Sequence, residues 1–213
     1  MSSALHEDER GDYTIGSSVV KLTREIVMSS ADAIKWNERY RSEQFQGPRD
    51  FLIEQAHHLP DHGMALDFAT GLGGNAGFLI ERGLRVVGVD VSEVGVRRAK
   101  DRWPSLLAAV IDLTHYRWPP CSLDVILNFY YCQRDLWPHF RSMLKPGGVL
   151  IMETLTIEML RARPDFSPDY LLQPDELRRA FAAWEVVVYR EGWVEMKDRS
   201  PRAVASLVAR RPV

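Results

Sequence analysis

With 213 residues, 46% of them hydrophobic, the chain suits one α/β domain with a proper core and is short for two. A formal net charge of −2 gives no overall attraction to nucleic acid or to an anionic membrane. Cys121 and Cys132 form no CxxC pair, which argues against a disulfide framework or a cysteine zinc site and suits a reducing compartment.

Residues 1–30 open with a polar, acidic stretch that lacks the basic start and apolar run of a signal peptide. No apolar run approaches the ~20 residues that span a bilayer, so a cytoplasmic protein without a membrane partner is expected. Val19, Leu22 and Ile26 fall at helical spacing, and the segment is expected to be an N-terminal extension serving as a lid. The domain proper is expected over residues 31–213. A short helix is read from Asp32, a possible cap, to Tyr40, with Trp36 and Tyr40 on one face. A second helical stretch runs from Phe51 to Leu59.

An alternation then begins. Met64 to Ala69 is an apolar strand, Gly71 to Gly74 a glycine-rich turn, and Asn75 to Arg82 a helix. Arg85 to Asp90 is the second strand, followed by a helix that Ser92 can cap and that runs to about Arg102. Leu106 to Asp112 and Leu123 to Tyr130 are the third and fourth strands. Arg134 to Leu144 reads as a helix with Pro138 near its first turn. Lys145 to Gly148 is a hard stop and turn, and Val149 to Thr154 is the fifth strand. Pro174 opens a helix with acids in its first turn. Glu185 to Glu195 and Arg202 to Arg211 are two closing strands, joined too closely for a parallel crossover. Continuous apolar runs predict strands buried on both faces, and the alternation predicts a doubly wound, Rossmann-like α/β fold. The expected sheet has seven strands, mostly parallel with an antiparallel final strand, and helices on both faces.

In such sheets a ligand sits beyond the carboxyl ends of the strands. Those ends carry Asp67 to Asn75, Asp90, Asp112, Asn128 to Tyr131, and Glu153. Gly71-Leu-Gly73-Gly-Asn75-Ala76 fits G-x-G-x-x-A between strand and helix. Asp90 follows at the spacing of an acid that accepts from a ribose diol. These features suit NAD and S-adenosylmethionine alike. Asp67, just ahead of the turn, opposes a pyrophosphate and can favour a sulfonium-bearing amino acid. Asp112 is an acceptor suited to an adenine amino group.

Leu66 to Ala76, Val87 to Ser92, Asp112 and Leu144 to Leu150 together resemble the motifs of class I S-adenosylmethionine-dependent methyltransferases, over about residue 36 to the C-terminus. Trp36-Asn-Glu-Arg-Tyr40 and Asn75 are similar to the tellurite-resistance and thiopurine-methyltransferase-like small-molecule group. The resemblance implies S-adenosylmethionine held by Asp67, Ala69, Thr70, Gly71, Gly73, Asn75, Asp90, Val91, Asp112, Leu113 and Asn128. It also implies methyl transfer to a small molecule. Where the family usually has glycine, this chain has Ala69, whose methyl group stands at the methionine end of the cofactor. A catalytically weak methyltransferase-fold binding protein and an NAD-dependent oxidoreductase are the alternatives.

Methyl transfer demands alignment and a dry pocket more than one catalytic signature. Tyr130 and Tyr131, beyond the fourth strand, can wall the site and face a cation. Arg134 can hold an anionic substrate, and Glu153 can bind an amine or take a proton. The Asn/Asp-Pro-Pro-Tyr/Phe pattern of nucleic-acid and protein amide methylases is absent. His57, His58 and His62 are read as solvated, so no metal is expected.

Overall fold

The computed structural model describes residues 31–113, 119–196 and 199–213, together with the backbone of three short N-terminal strands. The main sheet holds β1 (Met64–Phe68), β2 (Arg85–Asp90), β3 (Leu107–Val110), β4 (Leu123–Phe129), β5 (Leu144–Leu155), β6 (Glu185–Met196) and β7 (Arg199–Arg210). Their order across the sheet is β3-β2-β1-β4-β5-β7-β6. Strands β1 to β5 run parallel, and β7 pairs antiparallel with both β5 and β6. This is the seven-stranded doubly wound sheet expected from the apolar runs. The chain travels outward from β1 to β3 and then returns to the other side of β1 with β4. That reversal puts the switch point at the carboxyl ends of β1 and β4.

Both faces of the central strands β1, β2, β4 and β5 are buried, which explains why these strands lack polar alternation. One face stacks Leu66, Phe68, Ile126, Leu150 and Met152 under Trp137, Phe140 and Phe181. The other packs Ala65, Leu127, Phe129 and Ile151 against Phe51, Leu52, Ala76 and Leu79. The covering helices are α1 (Ala31–Ser42), α2 (Asp50–Glu54), α3 (Gly74–Glu81), α4 (Glu93–Arg102), α5 (Trp137–Met143) and α6 (Glu176–Ala180). Helix α3 lies so close to α4 that a Cβ on Gly77 would meet the Trp103 indole at 2.2 Å.

Several boundaries differ from the sequence reading. Helix α1 starts at Ala31, so Asp32 sits in its first turn and favours the macrodipole without capping. The stretch expected from Phe51 to Leu59 divides into α2 and a 3-10 turn, Ala56–His58. Strand β3 is shorter than its apolar run. The helix expected over residues 134–144 opens as a 3-10 turn, Arg134–Leu136, and becomes α-helical only at Trp137. Pro138 explains the late start: it is accommodated at the beginning of α5, where its missing N–H has no intrahelical partner to lose. The Lys145-Pro-Gly-Gly148 turn is present as an interruption within β5. Leu144 pairs with Leu123, and pairing resumes with Val149 opposite Val125, with Gly147 at φ +76°.

At the N-terminus the backbone of His6–Glu7, Tyr13–Ile15 and Ser18–Val20 forms a small antiparallel sheet. Val19 therefore lies in a strand, against the helical spacing read from it. The proposed lid otherwise falls outside the described residues. No helix among the described residues is long and apolar enough to cross a membrane.

Candidate functional site

The polypeptide leaves β1 through a turn that needs unusual backbone angles. Ala69, Gly71 and Gly73 have φ of +54°, +54° and +78°. Glycine meets that need at two of the three positions, and Ala69 accepts it with a Cβ. Gly71 is required twice over, since a Cβ there would stand 2.7 Å from the Tyr40 hydroxyl. Asp67 is 1% exposed and accepts a 2.7 Å hydrogen bond from the Thr70 hydroxyl. Burial pushes its carboxyl up to about 7; the Thr70 bond opposes the rise and the charge of Asp90 adds to it.

Asp90 closes β2 and fastens the turn. Its carboxylate accepts from the Gly71 amide at 2.9 Å and from the Ser92 amide at 2.9 Å. Burial raises this acid to about 6, opposed by those same amides. Ser92 caps α4 as its position suggested, accepting from the Gly95 amide at 3.0 Å. The cap is reinforced from α1: Asn37 Oδ1 accepts from the Ser92 hydroxyl at 2.7 Å and from the Val94 amide at 3.0 Å. Tyr40, one turn further along α1, stacks on Trp36 and lies against Gly71 and Gly95. Its phenol is held far above the ordinary range by burial and then by the Asp90 charge.

Beyond β4 the two tyrosines separate. Tyr130 has φ +56°, a conformation that a bulky residue holds only under constraint. Its hydroxyl donates to Glu153 Oε1 at 3.0 Å, and two guanidinium groups lie over its ring, Arg49 at 4.8 Å and Arg202 at 4.9 Å from the centre. Burial and then Glu153 push this phenol up to about 12. Tyr131 is raised chiefly by burial and then by the charges of Asp112 beyond β3, Asp32 in α1 and Asp90 at the end of β2. Glu153 is buried within β5, two residues short of its end. Its second oxygen accepts from the Ser206 hydroxyl at 2.8 Å, with Arg190 at 3.8 Å.

The remaining sequence candidates take varied positions. Asn128 is buried, and neither its Oδ1 nor its Nδ2 has a partner among the described residues. Asn75 Oδ1 accepts from the Arg49 amide at 3.0 Å and so ties residues 46–49 to the first turn of α3. Val91 is half-buried and Leu113 buried, each next to its acid, and Asp112 lies just past the end of β3. Arg134 is consumed elsewhere: it pairs with Glu176 and donates to the Asp169 carbonyl at 2.7 Å and the Leu171 carbonyl at 2.9 Å. Its role is to fasten the loop between β5 and α6. Asn37, Tyr40 and Arg49 were not read as site residues from the sequence. The signal for the first two was the Trp36-Asn-Glu-Arg-Tyr40 motif, and for Arg49 its place directly after Gly47-Pro48.

Residues 65–148 match a family model described as a methyltransferase domain. A Mycolicibacterium smegmatis protein named "Probable S-adenosylmethionine-dependent methyltransferase" is 29% identical over 142 residues, covering 62% of this chain and 52% of that protein. A trans-aconitate 2-methyltransferase of Escherichia coli O1:K1 / APEC is 27% identical over 126 residues, covering 56% of this chain and 44% of the relative. The chain thus spans about half the length of these curated relatives. Among solved structures, geranyl diphosphate C-methyltransferase from Streptomyces coelicolor A3(2), determined with S-adenosyl-L-homocysteine, superposes with a TM-score of 0.62. That match has 15% identity and covers 86% of this chain and 99% of the other. The fold is therefore the Rossmann-like one found in S-adenosylmethionine-dependent methyltransferases.

Proposed function

We propose that the chain is an S-adenosylmethionine-dependent methyltransferase acting on a small-molecule acceptor, with residues 31–213 as its catalytic domain. The observation that carries this reading is the pair of buried carboxylates around one glycine turn, Asp67 inside β1 and Asp90 bonded to the turn's own amide. A pyrophosphate at this turn would sit in the field of Asp67, whereas a sulfonium brings the opposite charge to it. That contrast favours S-adenosylmethionine over NAD. The methyltransferase-domain match and the names of the relatives support the same choice.

The residues present fit the cofactor. After accepting two amides, Asp90 retains lone pairs suited to a ribose diol. Asp112 suits the adenine amino group, with Val91 and Leu113 as apolar flanks. Ala69, Thr70, Gly71 and Gly73 bring backbone close to the methionine portion. The unpaired buried amide of Asn128 stands at the switch point, where a ligand would complete its hydrogen bonds. Asn75 holds the Arg49 segment against this turn.

When bound, S-adenosylmethionine supplies a methyl group activated on a sulfonium sulfur. The chain's own work is alignment and exclusion of water. Tyr131 covers the side of β2 and β3, and Tyr130 the side of β5 and β7. Glu153, engaged by Tyr130, Ser206 and Arg190, positions the Tyr130 ring. Arg134 positions the loop that follows β5. Within the class, the contacts of Asn37 and Tyr40 with α4 and Gly71 favour the tellurite-resistance and thiopurine-methyltransferase-like group.

Incubating the protein with S-adenosylmethionine and a panel of thiols, amines, carboxylates and metalloid oxyanions tests the reading. Acceptor-dependent release of S-adenosylhomocysteine, followed by mass spectrometry, is expected. A chain that neither binds the methyl donor nor releases its product with any acceptor overturns it.

A further inference from the structure

Because β7 runs antiparallel to β5, its beginning lies at the carboxyl-end rim of the sheet. Arg202 is placed there, half-buried, with its guanidinium 4.9 Å from the centre of the Tyr130 ring. Among the described residues it donates no hydrogen bond and meets no carboxylate within ion-pairing distance. Other arginines of the closing strands are committed. Arg190 pairs with Glu54 at 2.8 Å, Arg210 donates to the Gly147 and His58 carbonyls, and Arg211 donates to the Leu144 carbonyl. The neighbouring Glu153 is not within ion-pairing distance of Arg202; its oxygens accept from Tyr130 and Ser206, and its nearest guanidinium is that of Arg190 at 3.8 Å.

The Tyr130 ring attracts the Arg202 charge without using its N–H groups. The guanidinium therefore keeps its fork for a planar two-point partner. Arg49, 4.8 Å from the centre of the same ring and tied by its amide to Asn75, adds positive charge from the side of the glycine turn. Arg49 thus stands on the cofactor side of Tyr130, and Arg202 on the far side.

We infer that the acceptor is an organic anion whose carboxylate or phosphate group docks on Arg202 above the Tyr130 ring. This inference rests on the methyltransferase reading of the same site. Arg134, the anion holder suggested by the sequence, is excluded from that task by its bonds to Glu176 and to two carbonyls. The anionic group serves as a handle that orients the acceptor, whichever of its atoms receives the methyl group.

Calorimetric titration of the S-adenosylhomocysteine-loaded chain tests this directly. The probes are trans-aconitate for carboxylates, geranyl diphosphate for phosphates, and the neutral trimethyl ester of trans-aconitate. At least one acid is expected to bind, and the uncharged ester at least ~10-fold more weakly than trans-aconitate if the handle is a carboxylate. Arg202→Gln should weaken the bound acid by roughly 10- to 100-fold, and Arg202→Lys less, because it keeps the charge and loses the fork. S-Adenosylhomocysteine affinity should be unchanged in both variants, which also reports that they fold. No binding of either acid, equal binding of acid and ester, or an unaltered affinity in Arg202→Gln overturns the inference alone. Failure of S-adenosylhomocysteine itself to bind overturns the methyltransferase reading and this inference with it.

Discussion

Asp90 joins three pieces of the site: the end of β2, the Gly71 amide and the cap of α4. Asp90→Ala should weaken S-adenosylmethionine binding by roughly 1.5–3 kcal/mol, the scale of charge-assisted hydrogen bonds, when measured by equilibrium binding on the folded variant. Ala69 holds φ +54° with a Cβ. Ala69→Gly should therefore raise stability by roughly 0.5–1 kcal/mol and tighten cofactor binding; a fall in affinity would contradict crowding by the methyl group. The two buried acids also set a pH dependence. Asp67 rises from near 3.8 to about 7 on folding, so between those values the folded chain binds more protons than the unfolded one. Its contribution to stability is thus largest at low pH and is lost as pH rises through that window. Asp67→Asn should flatten the fall in melting temperature between pH 5 and pH 8; an unchanged slope would remove Asp67 from this role. At this scale the acids at strand ends were legible, because a strand end is a fixed distance from a glycine turn. The opposite directions of Tyr130 and Tyr131 were not, because no side-chain type signals a left-handed tyrosine.

Among the elements, the loop between β5 and α6 depends on Arg134 more than on regular structure. It contains 3-10 turns at Ile157–Arg161 and Pro168–Tyr170 and a single bridge between Thr156 and Leu172. Arg134→Ala should cost about 1–2 kcal/mol and speed amide exchange over residues 156–176, while S-adenosylhomocysteine affinity stays the same. Normal exchange combined with lost acceptor binding would instead make Arg134 a substrate contact. The sequence pointed to Arg134 because it precedes a helix near the site, but a guanidinium's partners come from distant elements that spacing does not specify. The place of Arg202 beside Tyr130 was not legible for the same reason: only the antiparallel course of β7 brings the start of that strand to the rim. Strands β1, β2 and β4 were easy to read, since each is a short, nearly continuous apolar run bounded by turn residues. The N-terminal strands were not, since Val19, Leu22 and Ile26 satisfy helical spacing while Val19 and Val20 equally suit a strand.

At the scale of the molecule, a doubly wound sheet puts the ends of β1, β2, β4, β5 and the start of β7 along one rim. Acids cluster on its β1–β3 side, and Tyr130 with Arg202 lies on its β4–β7 side. On the proposed reading, the acidic side would receive the cationic methyl donor and the basic side an anionic acceptor, with the tyrosines between them. In the proposed function, the glycine turn and its two carboxylates select a sulfonium nucleoside over a dinucleotide. Calorimetric titration of the whole chain with S-adenosylmethionine and, separately, with NAD tests this selection. Saturable one-to-one binding of S-adenosylmethionine with no heat from NAD at the same concentrations is the predicted result; NAD binding, or silence with S-adenosylmethionine, would contradict it.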